Sequence, residues 1–287
     1  MAGVAVVTDS TASLTRQQAM HAGVLIIPLQ VVIDGDSRAE SEEGGTAAAV
    51  ADALRQGKSV TTSRPTPDAF AAAFAELAAT GVESIVSVRL SRRMSGTYEA
   101  AALAAESAPV PVIVVDSTTV AMAMGFAVLS AAGRAQVGAG GAEVADVARR
   151  RAAAATTFFS VDSLEYLRRG GRIGPAAALL GSALAVKPLL TITRGEIRPH
   201  ERVRTASKAL VRLEELGLAA LARAAGTTDH VDVAVLHVDH LSGAQALAER
   251  LRGRLATGGD ITISEVSAVL GAHVGPGTLG IAVSPRP

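Results

Sequence analysis

Val4-Ala5-Val6-Val7-Thr8-Asp9-Ser10 is an apolar, β-branched run that ends in a polar turn, and the pattern returns twice. Ser84-Ile85-Val86-Ser87-Val88 leads into a loop at Ser91, and Val112-Ile113-Val114-Val115 leads into Asp116-Ser117. A helix-like stretch follows each run. Continuous apolar strands alternating with helices are what a parallel sheet covered on both faces requires, so the N-terminal half reads as α/β. Ligands of such sheets bind beyond the carboxyl ends of the strands, which directs attention to the polar turns.

Two helix starts stand beside hydroxyl residues. Thr66-Pro67-Asp68 supplies a cap and an early proline before Ala69-Phe70, and Ser95-Gly96-Thr97 precedes Tyr98-Glu99-Ala100. Unpaired backbone N–H groups next to Ser and Thr side chains suit a carboxylate or a phosphate.

Near residue 155 the pattern shifts. Gly138-Ala139-Gly140-Gly141 opens a helix that runs to Arg149-Arg150-Arg151, and Thr156-Thr157-Phe158-Phe159-Ser160-Val161 begins a new strand. Leu189 to Thr193, the turn Arg194-Gly195-Glu196 and Ile197-Arg198-Pro199 read as a hairpin. Strands at Val231–Val238, Ile261–Val266 and Leu279–Val283, with a helix from Gly243 to Leu255, complete the second half. The expectation is two domains: residues 1–155 as α/β with a parallel sheet, and residues 156–287 as α+β with a mixed sheet.

Composition narrows the function. The 287 residues are 49% hydrophobic and 19% charged, with 27 basic side chains offset by 27 acidic ones. Zero net charge and only seven aromatic residues, five Phe and two Tyr, argue against a nucleic-acid partner, which calls for a basic face and rings that stack on bases. Without cysteine there is no disulfide framework, no thiolate metal site and no thiol nucleophile, so a reducing cytoplasm is the expected compartment. The N-terminus lacks the basic region of a secretory signal. The longest uncharged stretch, Ser117 to Gly133, falls short of the roughly 20 residues that span a bilayer, so no membrane span is expected.

The common catalytic templates are missing: no G-x-G-x-x-G, no phosphate-binding G-x-x-x-x-G-K, no H-E-x-x-H, and no glycine in the nucleophile-elbow position before Ser95. His237-Val238-Asp239-His240 splits its side chains between two faces of a strand, which is poor metal geometry, and no metal is expected. His273 lies in the glycine-rich Gly271–Thr278 connection between two strands and reads either as a ligand contact or as a turn residue. Arg168-Arg169-Gly170-Gly171-Arg172 is either an anion loop or a solvated basic turn, and Arg198, Arg202, Arg204 and Lys208 pose the same choice.

Taken in order, several motifs resemble one family over nearly the whole chain. They are Val7-Thr8-Asp9-Ser10, Thr62-Ser63-Arg64-Pro65-Thr66-Pro67, Leu90 to Tyr98 with its Met94-Ser95-Gly96-Thr97 centre, Val115-Asp116-Ser117 and Leu164 to Ile173. Lys187-Pro188-Leu189-Leu190, Val203-Arg204-Thr205 and Gly271-Ala272-His273-Val274-Gly275-Pro276-Gly277 complete the set. The chain is similar to the DegV family of bacterial fatty-acid-binding proteins, which include the acyl-carrier subunit of fatty acid kinase.

The resemblance implies a three-layer α/β domain followed by a domain of different topology, with a long-chain fatty acid as bound ligand, no cofactor and a separate kinase subunit as partner. It implies that the carboxylate is held by Thr62 and Ser95, by backbone N–H groups near Ser63 and Gly96, and by His273. Arg64 stands where the family often has Gln, leaving two readings, a head-group contact or a solvent-facing charge. Arg172, Arg202 and Arg204, with Arg168 and Arg169, are candidates for partner docking or for steadying phosphate charge. Met122, Met124, Phe126 and Leu129 in the Ser117–Gly133 stretch are candidates for an apolar tunnel wall, the alternative being an ordinary buried helix.

On this reading the chain is a carrier with no catalytic residue of its own. Two rivals remain: a hydrolase or acyl transferase with Ser95 as nucleophile and His273 as base, and a regulatory module whose partner binding responds to fatty acid.

Overall fold

The computed structural model describes residues 3–41, 45–179, 187–228, 230–254 and 261–286. The strands in chain order are β1 (Val4–Asp9), β2 (Val24–Ile27), β3 (Gln30–Ile33), β4 (Asp36–Ala39), β5 (Val60–Ser63), β6 (Ser84–Arg89), β7 (Val112–Asp116), β8 (Thr156–Ser160), β9 (Lys187–Thr193), β10 (Glu196–Val203), β11 (Val231–His237), β12 (Ile261–Glu265) and β13 (Leu279–Pro285). The α-helices are α1 (Arg16–Ala22), α2 (Ala47–Arg55), α3 (Pro67–Ala79), α4 (Thr97–Ala105), α5 (Ala121–Gln136), α6 (Gly141–Ala154), α7 (Glu165–Arg169), α8 (Ala206–Ala225), α9 (Leu241–Arg252) and α10 (Ala268–Val274).

The three β-branched runs pair in parallel as expected. Sheet order is β2-β1-β6-β7, with Val6 opposite Val24 on one side and Val86 on the other, and Val86 opposite Ile113. The strand order reverses between β1 and β6, so their carboxyl ends form the crevice where ligands of open α/β sheets bind. Two fully buried charges stand there, Asp9 and Arg89, 4.0 Å apart. Asp9 also accepts hydrogen bonds from the backbone N–H of Thr11 and of Leu90, which pins both loops that leave the crevice.

The second sheet is mixed, in the order β10-β9-β8-β13-β11-β12, with β11 and β12 parallel and the remaining pairs antiparallel. The expected hairpin is β9–β10, and its turn residues Arg194 and Gly195 both adopt positive φ, 53° and 78°. That is the geometry whose twist matches the flanking strands.

Helices α5 and α6 lie between the two sheets. One apolar cluster runs from Val6, Val86 and Val115 through Met122, Met124, Phe126, Val144 and Ala148 to Ala234, Leu236 and Ala282. Phe70, Phe74 and Ala101 cover the outer face of the first sheet, while Leu213, Leu247 and Leu251 cover that of the second. Alanine dominates the shared layer because small side chains let helix and sheet backbones approach. At Gly125 the limit is reached, since a Cβ there would stand 2.7 Å from the carbonyl oxygen of Ala12.

Beyond the sequence-level expectation are β2 and a third, antiparallel sheet of order β4-β3-β5. Val31 of this small sheet, with Leu29 just before β3 and Val50 of α2, packs against Val269 and Ala272 of α10. The expected connection at Gly271–Thr278 is therefore helical as far as Val274. The last crossover helix begins at Leu241 and not Gly243, and Leu255 lies outside the described residues. Among the described residues no helix is long and apolar enough to cross a membrane.

Arg151 ties the layers together. It is 4% exposed, donates to Ser284 Oγ at 3.0 Å and to Ser130, pairs with Asp232, and sets its guanidinium 5.4 Å from the Phe126 ring centroid. Removing one member of such a buried network costs about 3 kcal/mol, toward the low end for a broken buried pair because Arg286 also holds Asp232. Urea unfolding of Arg151→Ala is expected to show that loss, and a loss below about 1 kcal/mol would contradict the role given to Arg151.

Candidate functional site

The carboxyl ends of β1 and β6 open onto a cavity that runs between the two sheets, with about 880 Å3 of empty space including its opening. Its wall is mostly aliphatic: Leu29, Leu90, Met94, Val120, Ile192, Ile197, Leu236, Val266, Val269 and Leu270, with Phe159 the one aromatic ring. Polar side chains gather at Thr62, Ser63, Arg64, Ser95, Arg172 and His273, while Thr157 and Thr278 are the hydroxyls elsewhere on the wall.

Each polar group reaches the cavity by a different element. Thr62 lies on β5, the inner face of the small sheet, and not in a turn before a helix. Ser95 precedes α4, whose N-cap is Gly96; no side chain caps this helix, so its first-turn N–H groups are left without a side-chain acceptor and its positive dipole end starts beside Ser95 on the cavity wall. A Cβ at Gly96 would stand 1.9 Å from Nη1 of Arg64, so that side chain packs directly on the Gly96 backbone. The Arg64 guanidinium thus lies over the start of α4, exposed at the cavity mouth.

His273 sits in the last turn of α10. Its Nε2 lies 2.9 Å from the Thr62 hydroxyl, and its Nδ1 is buried without a hydrogen-bond partner among the described residues. Gly170 makes room for it: a Cβ at that position would stand 2.1 Å from Nδ1. Burial, and then the nearby Arg172 charge, push the imidazole down to about 4, so the ring is neutral at pH 7. Arg172 is itself anchored, donating from Nε to the Met94 carbonyl at 3.0 Å and from Nη1 to the Gly170 carbonyl at 2.7 Å.

Ser95 pairs with the Thr97 hydroxyl at 2.8 Å and not with His273. Ser95 and His273 thus make separate hydroxyl contacts, Ser95 with Thr97 and His273 with Thr62.

The site brings together Thr62, Ser63, Arg64, Ser95, Gly96, Arg172 and His273, from elements more than two hundred residues apart in the chain. Other expected residues lie elsewhere. Met122, Met124 and Phe126 are buried in the shared helix layer, Leu129 packs at its edge, and none of the four lines the cavity. The tunnel wall expected from that stretch narrows to Val120 and Ala121, because only the start of α5 reaches the opening between the sheets. Arg202 and Arg204 are exposed at the end of β10 and away from the wall. Arg168 and Arg169 are both paired with Glu165. His237 and His240 are engaged locally, His240 Nδ1 lying 3.2 Å from the Gly277 carbonyl, and Asp239 pairs with Arg55. Sequence reasoning missed most of the aliphatic wall, since single residues from many separate strands leave no local pattern. It also missed Arg92 and Arg93, which with Arg172 and Glu196 line a shallow polar pocket beside Ser95 and Gly96.

A mostly apolar cavity with one cluster of convergent polar groups defines a small-molecule binding protein. The chain belongs to the DegV family: the model described as "Uncharacterised protein, DegV family" matches residues 3–286. A DegV domain-containing protein of Streptomyces coelicolor is 50% identical over 283 residues, 99% of each chain. The fold is similar to that of a fatty-acid-binding DegV family protein from Thermus thermophilus, with TM-score 0.90, 31% identity and 99% of each chain covered. DegV of Bacillus subtilis, described as a fatty acid binding protein, superposes with TM-score 0.88 at 30% identity over the full length of both chains.

The depressed imidazole has a pH consequence. The unfolded ring titrates near 6.5 and the folded one near 4, so the stability that neutral His273 contributes is complete above about pH 6.5 and is lost as pH falls through 4. An NMR titration is expected to find the His273 ring neutral down to about pH 5, and His273→Gln to flatten the stability profile between pH 6.5 and 4. A midpoint near 6.5 would contradict the assignment.

Proposed function

We propose that the protein binds a long-chain fatty acid, with the tail in the aliphatic cavity and the carboxylate at Thr62, Ser95 and His273. The observation that carries this reading is the cavity itself, aliphatic along its length and closed at the mouth by hydroxyls, an imidazole and an uncapped helix start. The fatty acids bound by the Thermus and Bacillus proteins support the same ligand class.

The energetics follow the division of the wall. Each buried methylene contributes about 0.8 kcal/mol, so a long chain gains most of its affinity from the tail. The head fixes direction. Ser95 donates its O–H to the carboxylate, the start of α4 adds N–H groups and a favourable dipole, and the Thr62–His273 pair adds one further donor: the Thr62 O–H where Nε2–H donates to Thr62, or Nδ1–H where Thr62 donates to Nε2. Arg64 and Arg172 flank the head and supply the compensating charge. Domain limits of 1–155 and 156–287 would place the ligand between the halves.

On this reading the protein is a cytoplasmic carrier with no cofactor of its own. A separate kinase would hold the nucleoside triphosphate; a carboxylate oxygen would attack its γ-phosphorus, the bond to the bridging oxygen would break, and acyl phosphate and nucleoside diphosphate would leave. The shallow pocket of Arg92, Arg93 and Arg172 beside Ser95 is where transferred phosphoryl charge would be steadied, and Arg202 and Arg204 would contribute to docking.

Mass spectrometry of gently purified protein tests the ligand. The wild type is expected to carry long-chain fatty acid, and Thr62→Ala with Ser95→Ala to lose it, each lost hydrogen bond to the charged head weakening binding by about tenfold or more. Absence of acyl chains from the wild type, together with no binding of added palmitate, would overturn the reading.

A further inference from the structure

Glu40 follows β4 and belongs to no group already assigned a role. Its backbone N–H donates to the Leu29 carbonyl at 2.9 Å, and its carboxylate accepts the backbone N–H of Ala268, the first residue of α10. The same helix carries His273 in its last turn and presents Val269, Leu270 and Val274 to the cavity.

The register of the small sheet gives this contact its meaning. Ala39 on β4 and Ser63 on β5 both stand opposite Gln30 on β3. Glu40 and Thr62 therefore flank the same end of the sheet, one on either side of the central strand. One end of α10 is gripped by Glu40, and five residues later, about 7.5 Å along the axis, the other end meets Thr62 through His273. Over so short a rigid span, a shift at Ala268 is carried to the imidazole. Ser13 adds a lateral tie from the loop after β1, its Oγ accepting the Ser267 N–H at 3.2 Å, while Leu29 and Val31 pack against Val269 and Ala272; Glu40 is the polar tie between the small sheet and the start of α10.

We propose that Glu40 is a positioning residue for the carboxylate site, fixing α10 on the end of the small sheet so that His273 meets Thr62. This rests on the ligand reading above and extends it to a residue outside the cavity. A carboxyl group suits the task because its oxygen reaches the first N–H of the helix, and the positive dipole end there favours an acceptor that carries negative charge. The local charges are few: burial and, more weakly, Asp9 raise the Glu40 carboxyl, the Ser10 hydroxyl and the Ala268 and Val269 amides lower it, and Arg172 is the charge that acts on His273.

The test pairs palmitate titration calorimetry with an NMR titration of the His273 ring. Glu40→Ala is expected to weaken palmitate binding by about tenfold and to raise the His273 midpoint from about 4 toward 6.5. Glu40→Gln, which keeps an acceptor of the same reach, is expected to hold the low midpoint and to stay within about threefold in affinity. In a His273→Ala background, Glu40→Ala is expected to change affinity by less than about twofold, since the group it positions is gone. Equal loss of affinity with and without His273, or an unmoved His273 midpoint in Glu40→Ala, overturns the proposal. Should Glu40→Ala fail to fold, Glu40→Asp replaces it: the shorter carboxylate is expected to raise the midpoint, and a midpoint equal to that of Glu40→Gln overturns the proposal. A wild type that binds no palmitate defeats the ligand reading, while the His273 titration still decides the part played by Glu40.

Discussion

The Thr62 hydroxyl and the His273 imidazole meet at 2.9 Å across 211 residues of sequence, and the polar end of the cavity exists only because they do. One belongs to a small antiparallel sheet inserted between β2 and β6, the other to a helix that begins after β12. Their contact closes the small sheet and α10 over the opening between the two large sheets. It also explains the state of the ring: enclosed beside Gly170 and Arg172, the imidazole stays neutral and presents a directional donor without adding a charge. A neutral donor with two hydroxyls suits a carboxylate, since the compensating cations, Arg64 and Arg172, stand at the rim, where water reduces the cost of keeping them charged.

The second constraint is the shared helix layer. Alanines and Gly125 bring α5 and α6 close to both sheets, so the core is dense where the helices lie and open where they end. The cavity takes up that open end, walled by side chains projecting from strands of both sheets. With one aromatic ring in its wall, the cavity is better matched to a flexible aliphatic chain than to a planar cofactor. Neutrality of the whole chain conceals a local asymmetry at the mouth, where Arg64, Arg92, Arg93 and Arg172 gather beside two carboxylates, Glu99 paired with Arg92 and Glu196 paired with Arg93.

Much of this was legible in the residues. The runs at Val4, Ser84 and Val112 are strongly β-branched and buried on both faces, so they announce a parallel sheet without help from tertiary context. The β9–β10 hairpin is equally plain from Arg194-Gly195. By contrast β4, Asp36-Ser37-Arg38-Ala39, is a short, mostly exposed edge strand with no apolar alternation, and its identity comes from pairing with β3. The helix at His273 was hidden because glycines at 271 and 275 read as loop, whereas the first serves packing against Val238 and only the second, at φ 82°, ends the helix. The Met122–Leu129 stretch failed as a cavity wall for a general reason: a helix apolar on all sides carries no sequence mark of which face meets a void and which meets protein. Thr62 was named through family resemblance, whereas local reasoning supports the helix start at Ser95 and leaves His273 open between a ligand contact and a turn residue.

The most direct measurement is a crystal structure of the protein with palmitate. The account expects a continuous aliphatic chain between the two sheets, its carboxylate within hydrogen-bond distance of Thr62, Ser95 and His273. A chain bound in the opposite sense, with its carboxylate away from those three residues, or a cavity that holds no chain at saturating palmitate, would contradict it.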